Sequence, residues 1–339
     1  MQQSSPAPSS PVPRKRRPVD FERYGLLLAW AVLILIFALL EPKTFLTAGN
    51  ISTMLGSQAV LVIVALGLTI SLTVGEFDLS IANVLVSTSM VTALLNVNAG
   101  WPIALAVLAG LLVGVVVGFI NGLLIVKLRI NSLIVTLGVG SVLQGLTSWI
   151  SQSTTVSGVD AALVQNIIVR RIAGVPLAFY YAVLLCAALW YLFQHTALGR
   201  RLLFVGRSSE VAQLSGIRVD RIRWGSMLAS SLFGAVAGII YTGTRGAADP
   251  TSGLSFMLPA FAAAFLGATS IYPGRFNPIG SVVAVYFLVT GITGLLLFGV
   301  PTFVQDLFYG GALLIAVAVS QWLRSRSQQN ASRTTSTAE

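Results

Sequence analysis

The chain has 339 residues, 55% hydrophobic and 9% charged, with a net charge of +10 at pH 7 and a mean hydropathy of +0.85. A soluble domain carries about 25% charged residues, so a soluble globular protein is excluded, and continuous rather than alternating apolar runs exclude a transmembrane barrel. The basic excess needs no nucleic acid, because the cytoplasmic loops of membrane proteins collect Lys and Arg.

Residues 1–23 read MQQSSPAPSSPVPRKRRPVDFER. Such a Pro/Ser-rich and then basic stretch buries too little apolar surface to fold, and a disordered cytoplasmic tail is expected. No small-residue cleavage site follows, so the first apolar run reads as an uncleaved helix. Residues 24–323 read as one membrane domain, all-α and polytopic. Its ten expected spans are Tyr24–Leu40, Ile51–Val74, Leu79–Leu95, Trp101–Val126, Asn131–Ile150, Pro176–Gln194, Trp224–Thr242, Phe256–Ile271, Pro278–Phe298 and Thr302–Leu323. Each approaches the roughly 20 apolar residues that a bilayer helix needs. A second cytoplasmic tail, 324–339, follows. With the amino terminus inside, 17 of the 21 Lys and Arg fall on the inner side, and only Lys43, Arg170, Arg171 and Arg245 fall outside. That bias places both termini in the cytoplasm.

Between the second and third spans, TVGEFDLSIAN (Thr73–Asn83) puts two carboxylates into an otherwise apolar stretch. Gly75 can end one helix and Asp78 can cap the next by accepting a backbone N–H near Ser80 or Ile81. Glu76 is not needed for capping; it is left to face a transport path or to pair with a basic residue of a neighbouring subunit. The run from Ala59 to Val74 rises about 24 Å as a helix, less than the core thickness of about 30 Å, which places the break inside the membrane. The spans are otherwise nearly free of ionisable groups. Asn121, Asn131 and Thr136 join Gly75, Glu76, Asp78 and Ser80 as candidates for the break and the path, a polar but sparsely charged set that suits a neutral solute. Glycines four apart, Gly110, Gly114 and Gly118, then Gly234 and Gly238, fit close helix packing within the chain or a seam between two copies.

Nothing here can hydrolyse a nucleotide. The phosphate loop needs Gly before its Lys, and Lys15, Lys43 and Lys127 follow Arg14, Pro42 and Val126. His195 and Cys186 each stand alone, so no metal set or catalytic triad forms. No enzyme activity, cofactor or metal is expected in this chain. The polar loop from His195 to Arg223 does carry a pattern: Ser208 or Ser209 as an N-cap, Glu210 in the first turn, Gly216 as a left-handed stop and Ile217 behind it. It reads either as a docking element or as a connecting helix lying on anionic lipid.

Within that loop, EVAQLSG resembles the E-A-A-x-x-x-G motif by which permeases of ABC importers meet their ATPase. Glu210, Ala212 and Gly216 match, and Val211 departs. GRRLLFVGRSSEVAQLSGIRVDRIR around it, with PKTFLTAGN, GEFDLSIANVL, NGLLI, NSLIVTLGVGSVLQGL and GVPTFVQDLFYGGALLIAVAVSQW, is similar in order to ribose/xylose-type sugar permeases from about Phe45 to Trp322. Two departures stand out: Glu76 replaces the second Gly of the family's G-G-x-D-L-S, and FMLPAFAAAFLGATS lacks the usual acid and one Gly. The resemblance implies an inner-membrane permease that pairs with a second permease subunit. It also implies two cytoplasmic ATP-binding subunits, so that ATP is bound by a partner, and an extracytoplasmic solute-binding protein that delivers a monosaccharide or related polyol. A self-sufficient transporter or channel, or a permease for amino acids or nucleosides, are the alternatives.

Overall fold

A computed structural model describes residues 21–336, with side chains for 23–321; the expected tail 1–23 lies mostly outside the described residues. The chain is built from helices. α1 (Phe21–Leu40) leads to α2 (Ala48–Ser57) and α3 (Ala59–Thr73), which run on as one span bent at Gln58. α4 (Ile81–Ala93) ends in a π-helical turn, Leu94–Asn98, followed by α5 (Ile103–Val126) and α6 (Ser132–Ile150). A loop region then holds β1 (Val156–Ser157), the single turn α7 (Ala161–Val164), and the hairpin β2 (Arg171–Ile172) with β3 (Val175–Pro176). α8 (Leu177–His195), α9 (Ala197–Arg207), α10 (Ser209–Leu214) and α11 (Val219–Arg245) follow. After β4 (Ala247–Ala248), which pairs antiparallel with β1, come α12 (Leu254–Gly267), α13 (Pro278–Leu297) and α14 (Phe303–Ser336).

Among the described residues, nine helices are long and apolar enough to cross a membrane, against ten expected. The missing one is α12, expected over Phe256–Ile271. It has 14 residues, about 21 Å of helix. The chain before it explains the shortfall. Having left α11, it turns back so that Gly253 packs against the Ala82 carbonyl and Val86 of α4, and α12 starts from that depth. Irregular backbone at such a depth is tolerated where protein surrounds it, and Gln144 Nε2 donates to the Pro250 carbonyl there.

α3 is apolar on every side, and every residue of it is buried, as expected of a helix with no polar face. α8, α11, α12 and α13 pack around it. α11, 27 residues long, crosses α3, α4 and α5. Here the glycine pattern finds its use inside the chain. A Cβ on Gly114 or Gly118 of α5 would strike Ser231 or Leu228 of α11, and one on Gly234 would crowd the Ile81 carbonyl of α4.

Candidate functional site

The stretch between α3 and α4 is a helix break closed at both ends by local chemistry. Gly75 takes φ +87°. The Glu76 N–H donates to the Ser71 carbonyl at 3.0 Å and the Gly75 N–H to Leu72 at 3.1 Å, the paired bonds of a Schellman stop. Asp78 then opens α4. It is fully buried, and it accepts from the Ser80 N–H at 3.1 Å, from Ser80 Oγ at 2.6 Å and from Ser230 Oγ of α11 at 2.7 Å. Ser80 Oγ in turn accepts from Asn121 Nδ2 of α5 at 2.8 Å. Two further amides of the break are taken by α6: Ser132 Oγ accepts from Phe77 N–H and Thr136 Oγ1 from Leu79 N–H. Four helices thus supply partners along the seven residues of irregular backbone between α3 and α4, which lipid could not do.

Glu76, only 5% exposed, accepts from Arg223 Nε in the first turns of α11, the only ion pair among the described residues. Its partner lies in the same chain, not in a neighbouring subunit. The helix that leads to the break is also longer than the run from Ala59 alone. α2 and α3 together give a span of 26 residues, enough to cross, and the break sits beside the first turns of α6. Asn131 is set apart from this network: exposed, it caps α6 by accepting from the Leu133 N–H. Neither Asp78, Ser80, Asn121 nor Thr136 walls the groove next to the break. That groove, about 430 Å³, is lined by Phe77, Leu79, Phe261 and Phe265.

α10 carries the second constellation. Ser208 Oγ accepts from the Val211 N–H at 3.3 Å. Gly216 takes φ +79°, with the Ile217 N–H donating to Ala212 and the Gly216 N–H to Gln213. Ala212 is buried, Glu210 is exposed, and Leu214 is 89% exposed. The loop that carries α10 touches the break twice. On one side Gly206 of α9 lies so close to α3 that a Cβ would overlap the Thr73 carbonyl oxygen. On the other side stands Arg223, bound to Glu76.

The family model for the permease component of branched-chain amino acid transport systems matches residues 50–317. The chain belongs to this permease family. Among its curated relatives, the D-allose transport system permease protein AlsC of Escherichia coli is 30% identical over 91% of this chain and 95% of its own. The ribose import permease protein RbsC of Bacillus subtilis is 33% identical over 88% and 93%. The L-arabinose ABC transporter permease protein AraH of Azospirillum brasilense is 30% identical over 96% of each chain. No solved structure matches. The permease is therefore a multi-pass protein of the cytoplasmic membrane and a transport component, not an enzyme. Two of its contact residues escaped sequence reading. By sequence Arg223 falls in the loop, because charge ends the apolar run, whereas α11 begins at Val219. Ser230 gives no local signal at all, being one small residue in an apolar helix.

Proposed function

We propose that this permease is the translocating subunit of an ABC importer for a monosaccharide or related polyol, driven by ATP hydrolysed on separate cytoplasmic subunits that dock on α10. The relatives' names support the solute class. The observation that carries the docking assignment is α10 itself, rigidly capped at both ends, with Leu214 offered to solvent and both flanks of its loop seated on the break. An exposed leucine on a short helix offers an apolar side chain to a partner's groove. Motion imposed on α10 would reach the break through the Gly206–Thr73 contact and the Arg223–Glu76 pair, and so shift α3 against α4. A second permease subunit, identical or not, and an external solute-binding protein complete the assembly in this reading. Both termini and the α9–α10 loop lie in the cytoplasm, following the charge split.

The test is retention of the ATP-binding subunit on the purified permease. Leu214→Glu and Gly216→Pro should each lose the subunit and abolish uptake at an unchanged membrane level, since Pro cannot take the left-handed conformation at 216. Normal uptake and normal retention in both variants would leave α10 a mere connector. Cysteine labelling at Ser10, Ser209, Val159 and Ser325, in a Cys186→Ser background, checks the orientation. Labelling of Ser209 from outside would overturn it.

A further inference from the structure

A groove of about 670 Å³ runs between α1, α12, α13 and α14, away from the break. Its wall is apolar, from Leu307 and Phe308 at one end to Leu26, Leu266 and Val319 at the other. Gly25 and Gly311 both line it, and neither would meet any atom within 4 Å if given a Cβ. The stretch of α14 from Phe308 to Val319 follows the groove for about 16 Å, the reach of an acyl chain rather than of a sugar.

A basic turn adjoins one end of the groove. Thr269 lines it there, and the turn that follows is tied to the start of α1: the Ile271 N–H and Ser270 Oγ both donate to the Arg23 carbonyl. Asn277, buried, holds the same turn by donating to the carbonyls of Gly267, Ser270 and Arg275. The turn presents Tyr272, and the guanidinium carbons of Arg23 and Arg275 stand 5.7 and 5.3 Å from the centre of its ring. Those distances to one ring keep the two cations within about 11 Å of each other. Among the side chains described, those of residues 23–321, neither has a carboxylate partner. The neighbouring sequence strengthens the sign: residues 14–23 hold five basic residues against Asp20 and Glu22, and residues 322–336 hold Arg324, Arg326 and Arg333 with no acid.

We propose that this groove is a binding site for one anionic phospholipid, its acyl chain along α14 and its phosphate between Arg23 and Arg275. Lipid alone fills an apolar groove in a bilayer without preference. The paired arginines at its mouth select the negative headgroup, as basic pockets between helices do.

The test uses the full-length permease in detergent, titrated with phosphatidylglycerol or phosphatidylcholine and read by native mass spectrometry. Wild type should hold one phosphatidylglycerol at a concentration at least about tenfold below that for phosphatidylcholine, equivalent to about 1.4 kcal/mol. Arg23→Gln with Arg275→Gln should erase that preference while leaving the melting temperature unchanged. Gly311→Phe, which fills the groove, should lose both lipids. Equal binding of the two lipids by wild type would overturn the proposal, as would a preference that survives in the double variant. Displacement of the lipid by millimolar inorganic phosphate would mean that the arginines bind a free anion. Loss of a permease dimer in Gly311→Phe, with lipid binding intact, would mean that a second copy covers the groove.

Discussion

Around Gly75 and around Gly216 the backbone does the same thing: a left-handed glycine, with the following N–H reaching back five residues to close the helix. Their surroundings differ. Beyond Gly75 the chain enters a pocket where Ser80, Asn121, Ser132, Thr136 and Ser230 supply its polar partners. Beyond Gly216 it returns to solvent, leaving Leu214 uncovered. A motif that ends a helix says nothing about function until its neighbours are known. One copy holds the membrane domain together, and the other is free to hold something else.

That contrast can be broken most severely where the two regions meet. Gly206→Leu forces a side chain into the Thr73 carbonyl; since overpacking costs about 1–3 kcal/mol and α9 must move off α3, uptake should fall by more than tenfold. Preserved uptake would mean that the loop does not act through this contact. Next comes Asp78. Asp78→Ala strands three buried donors, at about 1–3 kcal/mol each, so expression and thermal stability should drop with transport. Asp78→Asn keeps an acceptor for Ser80, and its amide can donate to a rotated Ser230, so transport should survive. A stable but inactive Asn variant would show that the negative charge itself serves the path.

The ion pair ranks third. Arg223 is 33% exposed and can rehydrate when its partner is removed, so Glu76→Gly should cost only about 1 kcal/mol. Glu76→Arg should be worse, and Arg223→Glu should partly rescue it. A double-mutant cycle on thermal stability and uptake measures the coupling, and a zero value would make the pair incidental. The smallest effect belongs to Asn131→Ala, which removes an exposed cap worth about 1 kcal/mol and should leave uptake unchanged. A transport defect there would return Asn131 to the path.

What the sequence made legible follows from which forces are local. Apolar run length marked nine spans, and the two glycines marked the two stops, because hydrophobicity and left-handed backbone belong to the residues themselves. The starting point of α11 was hidden by Arg218, Arg221 and Arg223, which end an apolar run without ending a helix. The short α12 was hidden because its start is set by the packing of Gly253 on α4, which no local pattern reports. The companions of Asp78 and Glu76 come from α5, α6 and α11, and only the fold brings them within reach.

The distance along the chain between those companions has a consequence for how the protein is made. Ser230 lies 152 residues after Asp78, and Arg223 lies 147 after Glu76. Synthesis at about 5–20 residues per second separates each pair by roughly 7–30 s. During that interval Ser80 can already donate to Asp78, but Ser230 and Arg223 do not yet exist, and water must stand in for them. The α3–α4 connection must therefore wait at the membrane surface, hydrated, until α11 arrives and seals it.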